Sequence, residues 1–276
     1  MRHRHLSIRS YSCLNLLTFM ANKIHPTAII DPGAELGDEL VVGPYALISA
    51  GVKLGNGCVI HNNVTIDGPT EIGENNEFYS YASIGQRSQD LKYDGEPTYL
   101  KIGDGNAFRE FCTVNRATSA GDATIIGSHG NFLAYTHIGH DCTIGDHVIF
   151  SNNATLGGHV EIGDHVILGG LTGIHQFCRI GAHAITGGFT KIVQDVPPYM
   201  VADGNPARTR AVNKIGLERR GFSEEARKSI KFAYRALFRE DRNTTEALEV
   251  LRSMEESTEE VKNIIAFVEG SQRGLH

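Results

Sequence analysis

The chain of 276 residues has no tryptophan, only five cysteines and a formal net charge of -6. Each shortage excludes something. An odd cysteine count without paired spacing argues against a secreted disulfide framework and for a reducing, cytoplasmic setting. Net negative charge leaves no electrostatic footprint for non-specific nucleic-acid binding. No apolar run is long enough to span a bilayer, so no stable membrane insertion is expected. Glycine is abundant, at 31 residues. With aliphatics dominating the apolar fraction, the composition suits a repetitive β architecture better than an ordinary mixed core. One long domain plus a smaller one is the expectation at this length.

The first nineteen residues, "MRHRHLSIRSYSCLNLLTF", carry arginine and serine but no acid. They fit either an organellar transit-like leader or a disordered, start-site extension before Met20. From Ile24 onward an apolar residue returns at every sixth position, through Ile30, Leu36, Val42, Ile48, Leu54, Ile60, Ile66, Ile72, Phe78 and Ile84. The series resumes at Ile102, Phe108 and Val114, and again from Ile126 to Ile180. Glycine often follows the aliphatic, and a small residue comes four positions after it. Neither a helical period nor two-residue alternation produces this pattern. It predicts a parallel β-helix of short strands, three hexads closing each triangular coil of 18 residues, with coils stacked at roughly 4.8 Å. The aliphatic and the small residue point inward, and glycine or asparagine is expected at the corner where a positive φ is required. Cys58, Cys112, Cys142 and Cys178 all occupy the small inward slot, which makes them core-filling thiols.

Two insertions break the rhythm, one near 86–101 and one near 115–125. Long excursions from a rigid scaffold are common carriers of function. The rhythm ends near 205, and residues 206–276 read as a C-terminal helical domain. One helix is announced by the N-cap candidate Ser223, a second near Thr245, and a third by Ser257 with Glu260, a capping-box pair.

Stacking turns spacing into proximity. Residues 18 apart lie on adjacent rungs of one column, so His140, Gly158 and Gln176 align, His159 falls above Asp141, and His175 above Gly157. With His137 they form the densest polar cluster of the chain. The other histidines of the repeat, such as His147, His165 and His183, read as exposed positions. The cluster is open to two readings. A His-x-x-His pair with further histidines above could hold zinc, although no standard ligand spacing is present. Alternatively it is an acid–base site, with the Gly158 N–H facing a developing oxyanion.

The segments "HIGHDCTIGD" and "GIHQFCRIGAH", with "QDLKYDGEP", "QDVPPY", "GLERRGFS" and the terminal "RGL", make the chain resemble the UDP-N-acetylglucosamine O-acyltransferase family from about Met20 to the C-terminus. The resemblance implies a left-handed coil, and transfer of an (R)-3-hydroxyacyl group from acyl carrier protein to the glucosamine 3-hydroxyl of UDP-N-acetylglucosamine, the opening step of lipid A biosynthesis. It implies no metal and no cofactor beyond the carrier's 4'-phosphopantetheine thioester. His140 would be the general base, Asp141 its orienter and Gly158 the oxyanion donor. Asp90, Lys92, His137, His159, His175 and Gln176 would contact sugar or diphosphate, and Asn213, Arg219 and Arg220 the nucleotide. Ile215 stands where family members tend to carry a carboxylate, which weakens the expected ribose contact. Gly188 would be the acyl-chain ruler, open to a longer chain. The basic set Arg208, Arg210, Lys214, Arg219 and Arg220 would receive the acidic carrier, and the family's homotrimer would place each site between prisms. The competing readings are the related N-acyltransferase of the same pathway and a trimeric zinc carbonic anhydrase on the same prism.

Overall fold

The structure is a computed structural model that describes residues 21–254 and 258–276. The leader expected at 1–19 and the cap expected at Ser257 lie outside the described residues. Between Lys23 and Asp203 the chain coils as a left-handed parallel β-helix; with one antiparallel strand added at its end, its three flat faces hold 11, 9 and 8 strands among the described residues. Most strands are two residues long, and register follows the repeat: His137 pairs with Thr155, Thr155 with Gly173, and Gly173 with Lys191. The repeat aliphatics and the small residues four positions later fill the interior. Phe78, Phe108, Phe132 and Phe150 form a column inside it, with ring centroids 5.1, 4.7 and 5.0 Å apart. Each such pair contributes about 0.5–1.5 kcal/mol beyond simple burial. Cys58, Cys112, Cys142 and Cys178 are buried free thiols, and burial pushes Cys142 up to about 12 and Cys178 up to about 11.

The corners differ from the sequence expectation. The position with positive φ, three residues after each aliphatic, is seldom glycine. Glycine or asparagine does hold it at Gly51, Gly57, Asn63, Asn75, Gly105 and Asn153, but Tyr45, Tyr81, Phe111, Tyr135, Leu171 and Phe189 hold most rungs of one corner, and His129, His147, His165 and His183 the upper rungs of another. A left-handed conformation costs a non-glycine residue roughly 1–2 kcal/mol, comparable with one good ring stack. These residues do stack: Tyr81, Phe111 and Tyr135 lie 5.1 and 4.8 Å apart. The glycine directly after the aliphatic serves close approach instead. A Cβ on Gly139 would sit 2.9 Å from the backbone of Gly157, one coil away.

The expected end of the prism at 205 falls inside a hairpin. Met200–Asp203 adds in parallel to the first face, and Arg208–Val212 returns antiparallel beside it. Among the described residues four helices follow: α1 (Lys214–Arg219), α2 (Glu224–Phe238), α3 (Thr244–Arg252) and α4 (Glu259–Glu269). Ser223 caps α2 as expected, its hydroxyl accepting from Ala226 N at 3.0 Å. The capping box is on α3, where Asn243 and Glu246 bond each other's backbone. Thr258 is the N-cap of α4 and makes no side-chain cap bond.

Candidate active site

Both insertions leave the prism at one corner. Each begins where a strand of the second face ends, at Gln86 and Asn115, and returns as a strand of the third face, at Tyr99 and Ala123. His140 and Asp141 occupy the same corner on the next coil, between strands His137–Ile138 and Thr143–Ile144. The excursions therefore wall the corner that carries the histidine cluster.

His140 donates from Nδ1 to Asp141 Oδ2 at 2.7 Å, and both side chains are largely buried, 13 % and 9 % exposed. An ionised carboxylate only accepts, so the Nδ1–H tautomer follows and Nε2 is left with its lone pair. Asp141 also receives the hydroxyl and the backbone N–H of Thr118, at 2.7 and 3.1 Å. Its own N–H donates to Thr124 Oγ1 at 2.9 Å. Burial pushes the Asp141 carboxyl up, but the bonds from His140 and Thr118 outweigh it and hold the group below its ordinary value. His159 stands one rung above, with Nε2 3.5 Å from Asp141 Oδ2 and its ring edge-on to His140 at 5.4 Å. Phe177 stacks on His159 from the next rung at 4.6 Å.

Gly158 closes over the His140 ring. A Cβ there would lie 2.3 Å from Cε1 and 2.6 Å from Nε2, so no other residue leaves the imidazole in place. Among the described residues no protein group accepts the Gly158 N–H. His137, on the strand before His140, bonds Thr113 Oγ1 at 2.7 Å, and burial, with His140 nearby, lowers its tendency to protonate. From His137 a shallow groove of about 470 Å³ climbs the second face past Leu156, Gly173 and His175 to Lys191 and Ile192. Gly188 is exposed at the corner beside that upper end, with only Gly170 O within reach of an added Cβ, at 3.4 Å.

The column arithmetic thus holds for His140, Asp141, Gly158 and His159, and it sets His137 and His175 along one groove. Gln176 is exposed one residue beyond His175. Of the remaining sequence candidates, Asp90 and Lys92 stand in the first loop at the same corner, while Asn213, Arg219 and Arg220 lie apart from it within one chain. Asp90 caps its own loop by accepting from Lys92 N at 2.9 Å, and the Lys92 side chain is exposed. Asn213 is buried as the N-cap of α1, where its amide accepts from Gly216 N and donates to His183 O. Arg220 reaches His165 O at 3.4 Å on a different corner, and Arg219 and Ile215 are exposed.

Sequence reasoning missed Ser88, Thr118 and Arg273. The last lies 98 residues from His175 and brings a guanidinium N–H to its Nδ1 at 3.1 Å. Both insertions interrupt the repeat at the same phase, and that shared phase was the signal that could have led to Ser88 and Thr118. The donor atoms of His140, Asp141 and His159 lie within 4.8 Å of one another, close enough to hold a cation. However, two hydrogen-bond donors already converge on Asp141 Oδ2, which suits a carboxylate that orients an imidazole for proton transfer.

A family profile described as UDP N-acetylglucosamine O-acyltransferase, domain 2, matches residues 195–276. An acyl-[acyl-carrier-protein]--UDP-N-acetylglucosamine O-acyltransferase of Akkermansia muciniphila is 60% identical over 92% of this chain and 98% of its own length. One of the same description from Thermodesulfovibrio yellowstonii is 46% identical over 92% and 99%. The crystal structure of UDP-N-acetylglucosamine O-acyltransferase from Moraxella catarrhalis superposes with a TM-score of 0.89 at 43% identity, covering 91% of this chain and 98% of that one.

Proposed function

The chain belongs to the UDP-N-acetylglucosamine O-acyltransferase family, and on that premise we propose how its histidine corner performs the reaction. The reaction is transfer of an (R)-3-hydroxyacyl chain from acyl carrier protein to the 3-hydroxyl of UDP-N-acetylglucosamine, the step that opens lipid A biosynthesis. The observation that carries the mechanism is the 2.7 Å bond from His140 Nδ1 to Asp141, which leaves Nε2 as the proton acceptor.

In our reading the sugar 3-hydroxyl gives its proton to His140 Nε2 as its oxygen attacks the thioester carbonyl. Asp141 holds the ring and stabilises the imidazolium. The negative charge on the tetrahedral intermediate is received by the Gly158 N–H. Collapse breaks the C–S bond, and the departing thiolate takes the proton back from His140. A thioester is already an activated acyl donor, so the step needs no covalent acyl-enzyme.

His159, His175, Gln176 and, in the loop, Asp90 and Lys92 are assigned to sugar and diphosphate. Arg219 and Arg220 are assigned to the nucleotide, with Asn213 shaping that corner through its cap. Arginine's planar fork suits diphosphate oxygens. Their separation from His140 within one chain is what a site shared between prisms requires, with the nucleotide corner of one chain facing the histidine corner of the next. A homotrimer is further supported by the exposed aromatic corner: Tyr45 is 66 % and Phe189 73 % exposed, an apolar stripe of the kind that marks an interface. Leu91, in the first loop, is fully exposed, and we assign it to a contact with a neighbouring chain.

The acyl chain is assigned to the groove that climbs from His137 toward Gly188, and Gly188 sets its length. Replacing Gly188 with methionine is expected to shift the preferred acyl chain to a shorter one in assays with defined carrier-bound substrates; an unaltered length profile removes this assignment. For the acidic carrier, a cleft of about 560 Å³ between the hairpin, α1 and α2 collects Arg210, Lys214, Arg227, Lys228, Lys231 and Arg239 against Glu218 and Glu224. No helix among the described residues is long and apolar enough to cross a membrane. Two water-soluble substrates, a sugar nucleotide and a carrier protein, support a cytoplasmic reaction. The deciding experiment is acyl transfer from defined 3-hydroxyacyl carriers to UDP-N-acetylglucosamine by wild type and His140→Ala. Retained turnover in a folded variant would sink the mechanism.

A further inference from the structure

Asp141 is gripped by a residue outside the histidine cluster. Thr118, buried in the second insertion, uses its backbone N–H on one carboxylate oxygen and its hydroxyl on the other. The Thr118 hydroxyl oxygen also lies 2.7 Å from the hydroxyl of Ser88, which is buried in the first insertion, and 3.0 Å from His140 Nδ1. Chemistry orders this chain. The carboxylate can only accept, so the Thr118 O–H points to Asp141, and its lone pairs face the Ser88 O–H. Ser88 in turn accepts the backbone N–H of Asp90 at 3.1 Å. One directed series of bonds therefore runs from the main chain of the first loop, through two buried hydroxyls, to the carboxylate that orients the base.

We infer that Thr118 is a positioning residue for His140, and that through Ser88 it ties the conformation of the first loop to the orientation of the Asp141–His140 pair. This rests on His140 being the general base. The loop that would touch the sugar nucleotide and the group that would deprotonate it then share one hydrogen-bond network, so a disordered loop leaves the base misaligned. Neutral hydroxyls suit this role because they fix geometry without adding charge to the site.

The charged and titratable groups around the pair are few. His140 faces Asp141, His159 from the coil above and His137 from its own strand. Asp141 faces His140, His159 and the buried thiol of Cys142. Arg116, two residues before Thr118, is turned away, bound to Asp67 and to the carbonyls of Gly68 and Gly85. Removing the Thr118 hydroxyl takes one hydrogen bond from the carboxylate and concentrates its charge on the imidazole. The protonated base is then favoured.

Thr118→Val keeps the side-chain shape and the backbone N–H bond and removes the hydroxyl alone. Turnover should fall about tenfold to a hundredfold, the effect of one hydrogen bond to a charged group. KM for UDP-N-acetylglucosamine should stay nearly unchanged, and the acid limb of the kcat/KM pH profile should move to higher pH. Thr118→Ser should restore both rate and profile, and Ser88→Ala should shift the profile in the same direction by less. In a His140→Ala background Thr118→Val should cost nothing further. The inference is overturned if Thr118→Val keeps the wild-type rate and pH profile, or if it lowers the residual His140→Ala rate by the same factor as it lowers wild type. Should the valine variant fail to fold, an unshifted profile in Ser88→Ala overturns it alone. Activity retained by His140→Ala would instead remove the general base itself, a distinguishable failure.

Discussion

Two corners of the same prism carry histidines, and they have opposite fates. On the corner between the third and first faces, His129, His147, His165 and His183 stack in an unbroken ladder with centroids 5.0, 4.9 and 4.7 Å apart, ending on Tyr199. No carboxylate or hydroxyl side chain bonds these rings among the described residues. On the corner between the second and third faces, the ladder is interrupted by two insertions. There His140 and His159 meet the Asp141 carboxylate, which Thr118 and, through it, Ser88 hold in place, in addition to the rings of each other and of Phe177. Both corners carry histidine, so residue type does not separate a structural corner from a reactive one. The breaks in the repeat do, because they bring in hydrogen-bonding partners that a periodic stack excludes.

The sharpest way to break this comparison is to make one change on both corners. His140→Ala should lower turnover by about 10²–10⁴, the usual share of a positioned base, while His147→Ala should leave turnover within about twofold, as expected for a surface change away from the site. Equal losses in the acyl-transfer assay would erase the distinction between the corners. Next in size is Gly158→Ala. Its Cβ would fall 2.3 Å from the His140 ring, so the ring must move, and a loss of about 10²-fold in kcat is expected from a displaced base and oxyanion donor. A fully active Gly158→Ala enzyme would show that the close packing against His140 is incidental.

The smallest effect concerns acid stability and belongs to the ladder. Burial, then His165 and Arg220, lower His183 to about 4. Its folded value is thus below the unfolded one near 6.5, so the unfolded chain binds more protons between those values. Stability from this group is complete above about pH 6.5 and is lost as pH falls toward 4. His165, lowered chiefly by burial, adds in the same direction. His183→Phe keeps a ring in the stack and removes the titration, so its Tm should fall less between pH 6.5 and 4 than that of wild type. Parallel Tm curves would place the acid sensitivity elsewhere, for instance at His276, whose ring accepts the N–H groups of Val193 and Gln194.

Much of the site could be read from spacing because the fold converts period into position. His159 above Asp141 and Gly158 above His140 follow from coils of 18 residues, and the buried cysteines from the same phase. The reading was less successful wherever a residue's partner is not periodic. His165 and His183 were read as exposed but are half-buried in their ladder. Nothing in the spacing points to the second task of Asn213, whose amide caps α1. The capping box on α3 went unread, because Asn243 and Glu246 form one only once the chain turns there.

The amino-acid order alone determined the β-helix, the inward and outward sides of every rung, and which side chains share a column. Identical coils can stack in only one register that buries the aliphatics, so local period is enough. Tertiary structure alone decided which hydroxyls reach Asp141, that Arg273 crosses from the C-terminus to His175, and that stacked rings hold many of the left-handed corners. Those contacts join segments with no common repeat, and their geometry is set by where the insertions and the tail come to rest against the prism.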